Sequence, residues 1–119
     1  MKIVYILHSL NRIAPNTVII NIIKKLHLKM SKIFIISLYK SNEDNYKFLL
    51  DSLKIPYIEY STQLEAFKNL DEILFHIKGY DLMHLNQYKS NEIGNILHKY
   101  NQHMKIISTC HSVEDEESI

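Results

Sequence analysis

Three of the seven histidines lie where side chains can reach a bound ligand, at or near the ends of predicted strands. His8 follows the first apolar run, His84 lies in the fourth, and His111 follows the fifth. An imidazole in such a position can hydrogen-bond a neighbouring loop, ligate a metal ion or contact a polar or phosphorylated ligand. None of the three has the spacing to another histidine or carboxylate that is typical of a metal site. The structural and ligand-binding interpretations both stay open, and for His111 we favour ligand contact.

The segment between the first apolar run and the first predicted helix is where a nucleotide-binding motif would lie in an α/β fold. It runs from His8 to Asn16 and contains no glycine. A dinucleotide site needs Gly-x-Gly-x-x-Gly and a P-loop needs Gly-Lys-Ser or Gly-Lys-Thr, because backbone amides must approach the phosphates closely. A receiver domain would have acidic residues where this chain has His8 and Ser9. The sequence therefore excludes these nucleotide sites, and we expect no cofactor and no metal ion.

Cys110, the only cysteine, closes the last apolar run. A single cysteine forms no internal disulfide and is too few for a structural zinc site. As a nucleophile it would need an activating base, and His111 is the only neighbour of that kind. We expect a buried, unreactive thiol in a reducing cytosol.

Apolar runs and helical spacing alternate along the chain. The runs predict five strands, namely Lys2–Leu7, Lys32–Tyr39, Tyr57–Tyr60, Leu82–Leu85 and Lys105–Cys110. The predicted helices run from Pro15 or Asn16 to about Met30, from Ser41 to Leu53, from Thr62 to Gly79, and from Ser90 or Asn91 to Tyr100. The expected buried face of the first helix contains Val18, Ile19, Ile22, Ile23 and Leu26. In the second helix we expect Phe48, Leu49 and Leu53 to face inward.

This alternation, without a hairpin turn, predicts an α/β fold. Right-handed crossovers between successive strands produce a parallel sheet that is covered on both faces. We expect one Rossmann-like doubly wound domain over residues 1–119, with about five strands in the order 3-2-1-4-5. Ligands of such sheets bind beyond the carboxyl ends of the strands, where the strand order reverses. Here that point lies between strands one and four.

The composition is that of a single folded domain. Of 119 residues 46% are hydrophobic, and 14 basic against 13 acidic residues leave a net charge of +1. These values argue against a disordered chain and against a nucleic-acid partner. No apolar stretch approaches the ~20 residues of a membrane-spanning helix, so we expect a soluble, cytoplasmic protein. Lys24, Lys25 and Lys29 are compatible with peripheral contact at the inner face of a membrane.

Four segments, taken in order, are similar to those of a known family. They are KIVYILHSL…APNTVIINIIKKL, IFIISLYK, YDLMHLNQYKSNEIGNIL and KIISTCHSVEDEES, and together they span nearly the whole chain. This pattern resembles the N-terminal domain of glycosyltransferase family 4. These GT-B retaining transferases include many bacterial capsule, lipopolysaccharide and exopolysaccharide enzymes.

The resemblance implies which residues contact substrate. The family's Asp-x-x-His-x-His motif corresponds to residues 81–86, where Asn86 replaces the second histidine. The Thr-x-His motif after strand five is present from Thr109 to His111, and in relatives its histidine faces the transferred sugar. We therefore expect His111 to be the catalytic residue. The expected substrate-binding residues are His8, Asn11, Asn16, His84, Asn86 and Thr109.

The resemblance also implies a function, transfer of a sugar from a nucleotide-sugar donor to a sugar or lipid-linked acceptor. Such enzymes bind the donor mainly through a second domain with a Glu-x7-Glu motif, which the run Glu114–Glu117 does not match. We expect an acceptor-side domain without that donor-binding domain and inactive alone. The alternative is a non-catalytic interaction module derived from a transferase. In either case we expect self-association through the edge of strand five.

Overall fold

Strands and helices alternate along the part of the chain that the computed structural model describes, residues 1–86 and 90–109. The strands are β1 (Lys2–Leu7), β2 (Lys32–Ser37), β3 (Tyr57–Glu59), β4 (Leu82–Asn86) and β5 (Lys105–Thr109). The helices are α1 (Ala14–Leu28), α2 (Lys47–Ser52), α3 (Gln63–Lys68), α4 (Leu70–Ile77) and α5 (Ser90–Tyr100). None of these helices combines the length and the apolar character that crossing a bilayer requires.

The five strands form one parallel sheet in the order β3-β2-β1-β4-β5, which confirms the predicted Rossmann-like topology. β1 lies at the centre, between β2 and β4. Both of its faces are covered, which explains why its sequence is continuously apolar rather than alternating. Every chain segment that leaves a strand starts at the carboxyl edge of the sheet and returns to the amino edge.

The sheet separates two hydrophobic layers. Ile3, Tyr5 and Leu7 of β1 pack with α1 and α2 on one face. Val4 and Ile6 lie on the other face, which packs against α3, α4 and α5. Alternate residues of a strand point to opposite faces, so a single apolar strand supplies both layers.

The buried face of α1 differs from the prediction. Ile19 and Ile23 are buried as expected, but Ile20 is buried while Val18 and Ile22 are exposed. The cause is a buried polar residue in the first turn, Asn16. The buried set has the spacing of one helical stripe that starts from this asparagine: Asn16, Ile19, Ile20 and Ile23.

The second predicted helix begins at Lys47 rather than at Ser41. Asn42 Oδ1 accepts a hydrogen bond from Asp44 N at 2.9 Å, and Asn45 Oδ1 accepts one from Lys47 N at 2.9 Å. Asparagine side chains that bond nearby backbone groups favour turns over helix. The prediction that Phe48 faces inward is wrong, because Leu50 is the buried residue of α2 and Phe48 is 83% exposed.

The third predicted helix is divided in two at Asn69. Thr62 caps α3 as predicted, since its Oγ1 accepts a hydrogen bond from Glu65 N at 3.2 Å. Asn69 then leaves the helical conformation with φ −121° and ψ 33°, and its Nδ2 donates to Glu65 O at 2.8 Å. This side chain competes for a backbone carbonyl of the helix and ends α3.

Candidate functional site

The carboxyl edge of the sheet is where the strand order reverses between β1 and β4. β1 ends at Leu7 and β4 ends at Asn86. The last paired residues of these two strands are Ile6 and Leu85, so both strands end one residue after that pair. Asn86 pairs in turn with Thr109, the last residue of β5. The structure therefore places the ends of β1, β4 and β5 side by side, which is where doubly wound sheets bind their ligands.

The turn from β1 to α1 is held by polar side chains instead of glycines. Asn16 is buried, and its Nδ2 donates to Ser9 O at 2.9 Å and to Asn11 O at 2.8 Å. Asn11 N donates to Ser9 Oγ at 3.4 Å. These bonds fix the first turn of α1 against the end of β1. Within the described chain, Asn16 Oδ1 is buried and has no hydrogen-bond partner.

The loop after β2 closes over this turn. Asn11 Oδ1 accepts a hydrogen bond from Asn42 N at 2.7 Å, and Asn11 forms an antiparallel bridge with Asn45. Arg12 N donates to Asp44 O at 3.0 Å. The predicted substrate-binding residues Asn11 and Asn16 thus both lie at the carboxyl edge, where they also hold two loops together.

His8 lies directly after β1 and is half-buried. Its ring packs on that of Tyr39, which follows β2, with centroids 4.4 Å apart and planes tilted by 44°. Because β1 and β2 are parallel neighbours, residues just past their ends meet at the same edge. Tyr39 was not among the predicted site residues, although it is the last residue of the second predicted strand, Lys32–Tyr39, and that position could have identified it.

His84 lies inside β4 and not at the carboxyl edge. It pairs with Tyr5 in the middle of β1, and the two rings are 5.0 Å apart. Burial raises the pKa of the Tyr5 phenol above its ordinary value. His84 is therefore separated along the strand from His8, and the structure does not bring these two predicted residues together at one edge.

Asn86 reaches the edge that His84 does not. It is fully buried, and its Nδ2 donates to His84 O at 3.2 Å. Thr109 lies beside it in the backbone register. The predicted catalytic residue His111, together with Cys110, lies outside the described residues.

The cationic side chains at this edge are mostly engaged by acids. Arg12 Nε is 3.2 Å from Asp44 Oδ1, and its guanidinium lies 4.6 Å from the ring centroid of Tyr46. Lys47 Nζ donates to Glu59 Oε1 at 3.1 Å.

Glu59 is the most strongly bonded carboxylate of the described edge. Burial alone would raise the pKa of Glu59. The hydrogen bonds from Ser41 and Lys47 have the larger opposite effect, so the pKa of Glu59 lies below the ordinary 4.5. Ser41 donates to Glu59 Oε2 through both its hydroxyl and its backbone N–H. This carboxylate is ionised at neutral pH and holds the start of the 41–46 loop to the end of β3.

Within residues 1–86 and 90–109, no group of three or more His, Cys, Asp or Glu side chains could hold a metal ion. The chain matches no protein-family model, curated protein or solved structure. We therefore infer a function from the chemistry of the carboxyl edge itself.

Proposed function

We propose that this chain is the acceptor-side domain of a nucleotide-sugar-dependent glycosyltransferase. The carboxyl edge of its sheet would bind a hydroxyl-rich acceptor while a separate donor-binding domain holds the nucleotide sugar. The observation that carries the proposal is the glycine-free, hydrogen-bonded turn from Ser9 to Asn16, located where the strand order reverses.

The chemistry of this turn suits a neutral sugar. Serine hydroxyls and asparagine amides both donate and accept hydrogen bonds, as sugar hydroxyls do. The rings of His8 and Tyr39, which are in contact and tilted against each other, add an aromatic surface with polar edges next to the turn. A carbohydrate presents C–H faces as well as hydroxyls, so an aromatic surface beside amide groups matches both parts of the ligand.

The charge of the edge disfavours a pyrophosphate. Arg12 and Lys47 are paired with Asp44 and Glu59. Phosphate groups are held by free cationic side chains or by glycine-rich backbone at a helix N-terminus. This favours the acceptor, rather than the nucleotide-sugar donor, as the ligand of this domain.

The test is a calorimetric titration of the purified chain with neutral oligosaccharides of glucose, galactose and N-acetylglucosamine, and separately with UDP-glucose and GDP-mannose. We expect an oligosaccharide to bind and the two nucleotide sugars to bind more weakly or not measurably. His8→Ala should weaken oligosaccharide binding about tenfold, since stacking and hydrogen-bonding contacts contribute on the order of 1 kcal/mol each.

A matched variant controls for loss of an aromatic contact elsewhere. His76 stacks on Phe34 at 5.2 Å, away from the carboxyl edge, and His76→Ala should leave binding unchanged. Tight binding of UDP-glucose or GDP-mannose without oligosaccharide binding would contradict the acceptor-side assignment. Binding of neither class would favour a non-catalytic interaction module.

A further inference from the structure

The two edges of the sheet carry opposite charge. Seven of the nine acidic residues before position 110 lie toward the carboxyl edge, in the loop after β2, at the end of β3 or in the first turns of α3, α4 and α5: Glu43, Asp44, Glu59, Glu65, Asp71, Glu72 and Glu92. Only Asp51 and Asp81 lie near the amino edge. Nine lysines lie at the amino edge, at the starts of strands, near the ends of helices or in the turn before β3: Lys2, Lys24, Lys25, Lys29, Lys32, Lys54, Lys78, Lys99 and Lys105.

Helix dipoles explain only part of this lysine excess. Apart from α3, which leads directly into α4, each helix precedes a strand and therefore ends toward the amino edge, where the partial negative charge of its last turn favours cations. That accounts for Lys25 and Lys99. It does not account for Lys32, which starts β2, or for Lys54, which lies in the turn before β3 with a φ of +59°.

Large apolar side chains are exposed at the corner where α1 turns into β2. Leu28, the last residue of α1, is 80% exposed, and Met30, in the following turn, is 87% exposed. These two apolar side chains thus project among lysines at one corner of the domain.

A cleft of about 190 Å³ opens beside this corner. Its lining includes Lys32, Lys54, His27 and Ser31, all of which carry hydrogen-bond donors, and it contains no acidic side chain. Such a cleft is suited to a phosphate or a similar anionic group. Together with the exposed apolar residues it forms one surface, which we call the amino-edge surface: Lys25, Leu28, Lys29, Met30, Lys32 and Lys54.

We propose that the amino-edge surface docks the protein on an anionic lipid bilayer. The lysines would contact headgroup phosphates, while Leu28 and Met30 enter the boundary between headgroups and acyl chains. Basic residues attract anionic leaflets, and exposed apolar side chains add binding that charge alone does not supply. The apolar residues favour a membrane over RNA, whose backbone offers nothing for an aliphatic side chain to enter. This inference does not depend on the proposed function.

The experiment is co-sedimentation of the chain with vesicles of phosphatidylcholine, with and without phosphatidylglycerol. We expect binding only to the vesicles that contain phosphatidylglycerol, weakened by added salt. Lys29→Gln combined with Lys54→Asn should lower the partition coefficient about fivefold per lysine. Asparagine is chosen at position 54 because it tolerates a positive φ.

The apolar contribution is tested separately by Leu28→Gln combined with Met30→Asn. Met30 has a φ of +68° at the end of α1, where asparagine is an accepted cap, so this variant should fold. We expect a loss of about tenfold or more in binding to the same vesicles.

Matched controls remove the same side-chain types from the opposite half of the domain. Lys40→Gln with Lys68→Gln, and Phe48→Gln with Leu64→Gln, should bind vesicles as the unmodified chain does. The proposal is overturned if phosphatidylglycerol does not promote binding or if the controls lose as much. A second outcome also overturns it. If Leu28→Gln with Met30→Asn binds vesicles normally, and fluorescence anisotropy shows tight, lysine-dependent binding of poly(U), the surface is assigned to RNA.

Discussion

Gly94 of α5 lies directly against Leu85 of β4. A Cβ placed on Gly94 would overlap both δ-methyl groups of Leu85 and lie 3.0 Å from its Cγ. Leu85 is itself buried, so it has little room to move away. Because Asn86 follows Leu85, this close approach also fixes the end of β4 at the carboxyl edge.

Gly94→Ala should therefore destabilise the protein, although alanine is the better helix former. The gain in helix propensity is about 1 kcal/mol, whereas overpacking a core costs about 1–3 kcal/mol. Denaturant unfolding measures the difference. Alanine at the exposed helical position Asn95 is the control and should be neutral or slightly stabilising. A Gly94→Ala protein as stable as the original would show that α5 does not pack this closely.

Asn16→Asp should destabilise the protein strongly at neutral pH and less in acid. The buried Nδ2 that donates to the carbonyls of Ser9 and Asn11 would be replaced by a carboxylate oxygen that repels them. Burial favours the neutral form of the new acid, which can donate once protonated. The measurement is the free energy of unfolding across the acid range. Asn21→Asp, at an exposed position of the same helix, should lack this pH dependence.

Glu59→Gln should reduce stability by about 1–2 kcal/mol at neutral pH, because it replaces charge-assisted hydrogen bonds from Ser41 and Lys47. The pKa of Glu59 in the folded protein lies below its ordinary 4.5. The ionised carboxylate therefore contributes its full stabilisation of the fold above pH 4.5. This stabilisation is lost as the pH falls through the lower pKa of the folded protein.

The difference in unfolding free energy between the original chain and Glu59→Gln should accordingly shrink in acid. Glu43→Gln, which removes an exposed carboxylate from the same loop, should change stability little at any pH. A difference for Glu59→Gln that stays constant down to the lowest pH at which the protein folds would contradict the assigned role.

Self-association through β5 remains a prediction. β5 pairs only with β4 among the described strands, and Ile107 on it is 48% exposed. An edge strand with unpaired backbone groups and apolar side chains is a template for association. We expect the light-scattering mass to rise with concentration and Ile107→Lys to abolish the rise. Phe75→Lys, at an exposed apolar residue of α4, should not abolish it. A concentration-independent monomer would show that this edge is covered.

The sheet was predictable because each strand is a continuous apolar run and each connection has helical spacing. The handedness of crossovers then leaves a small number of doubly wound strand orders, of which 3-2-1-4-5 is the one observed. The predictions about helices that were wrong all concern segments in which an asparagine side chain bonds to the backbone. Asn16 changes the buried face of α1, Asn42 and Asn45 replace a predicted helical turn, and Asn69 divides a helix. Their side chains bond to backbone groups two to seven residues away and compete with helical hydrogen bonds, and the spacing of apolar residues does not reveal this competition.

The candidate site was only partly predictable for the same reason. Position along the chain places His8 and Asn86 at the carboxyl edge, and the structure agrees. The predicted strand Leu82–Leu85 already contains His84, but the sequence does not reveal that this histidine packs against Tyr5 in the middle of the sheet. Nor does it reveal that the loop after β2 bonds to Asn11.

The central claim is that a hydroxyl-rich sugar binds where the turn after β1 meets the end of β4. The most direct measurement is an NMR titration of the isotopically labelled chain with the oligosaccharide that binds best in calorimetry, following every backbone amide. We expect shifts that cluster at His8, Ser9, Asn11, Asn16 and Asn86, with the amides of the amino-edge surface unchanged. Shifts confined to the amino edge, or the absence of shifts at saturating oligosaccharide, would contradict it.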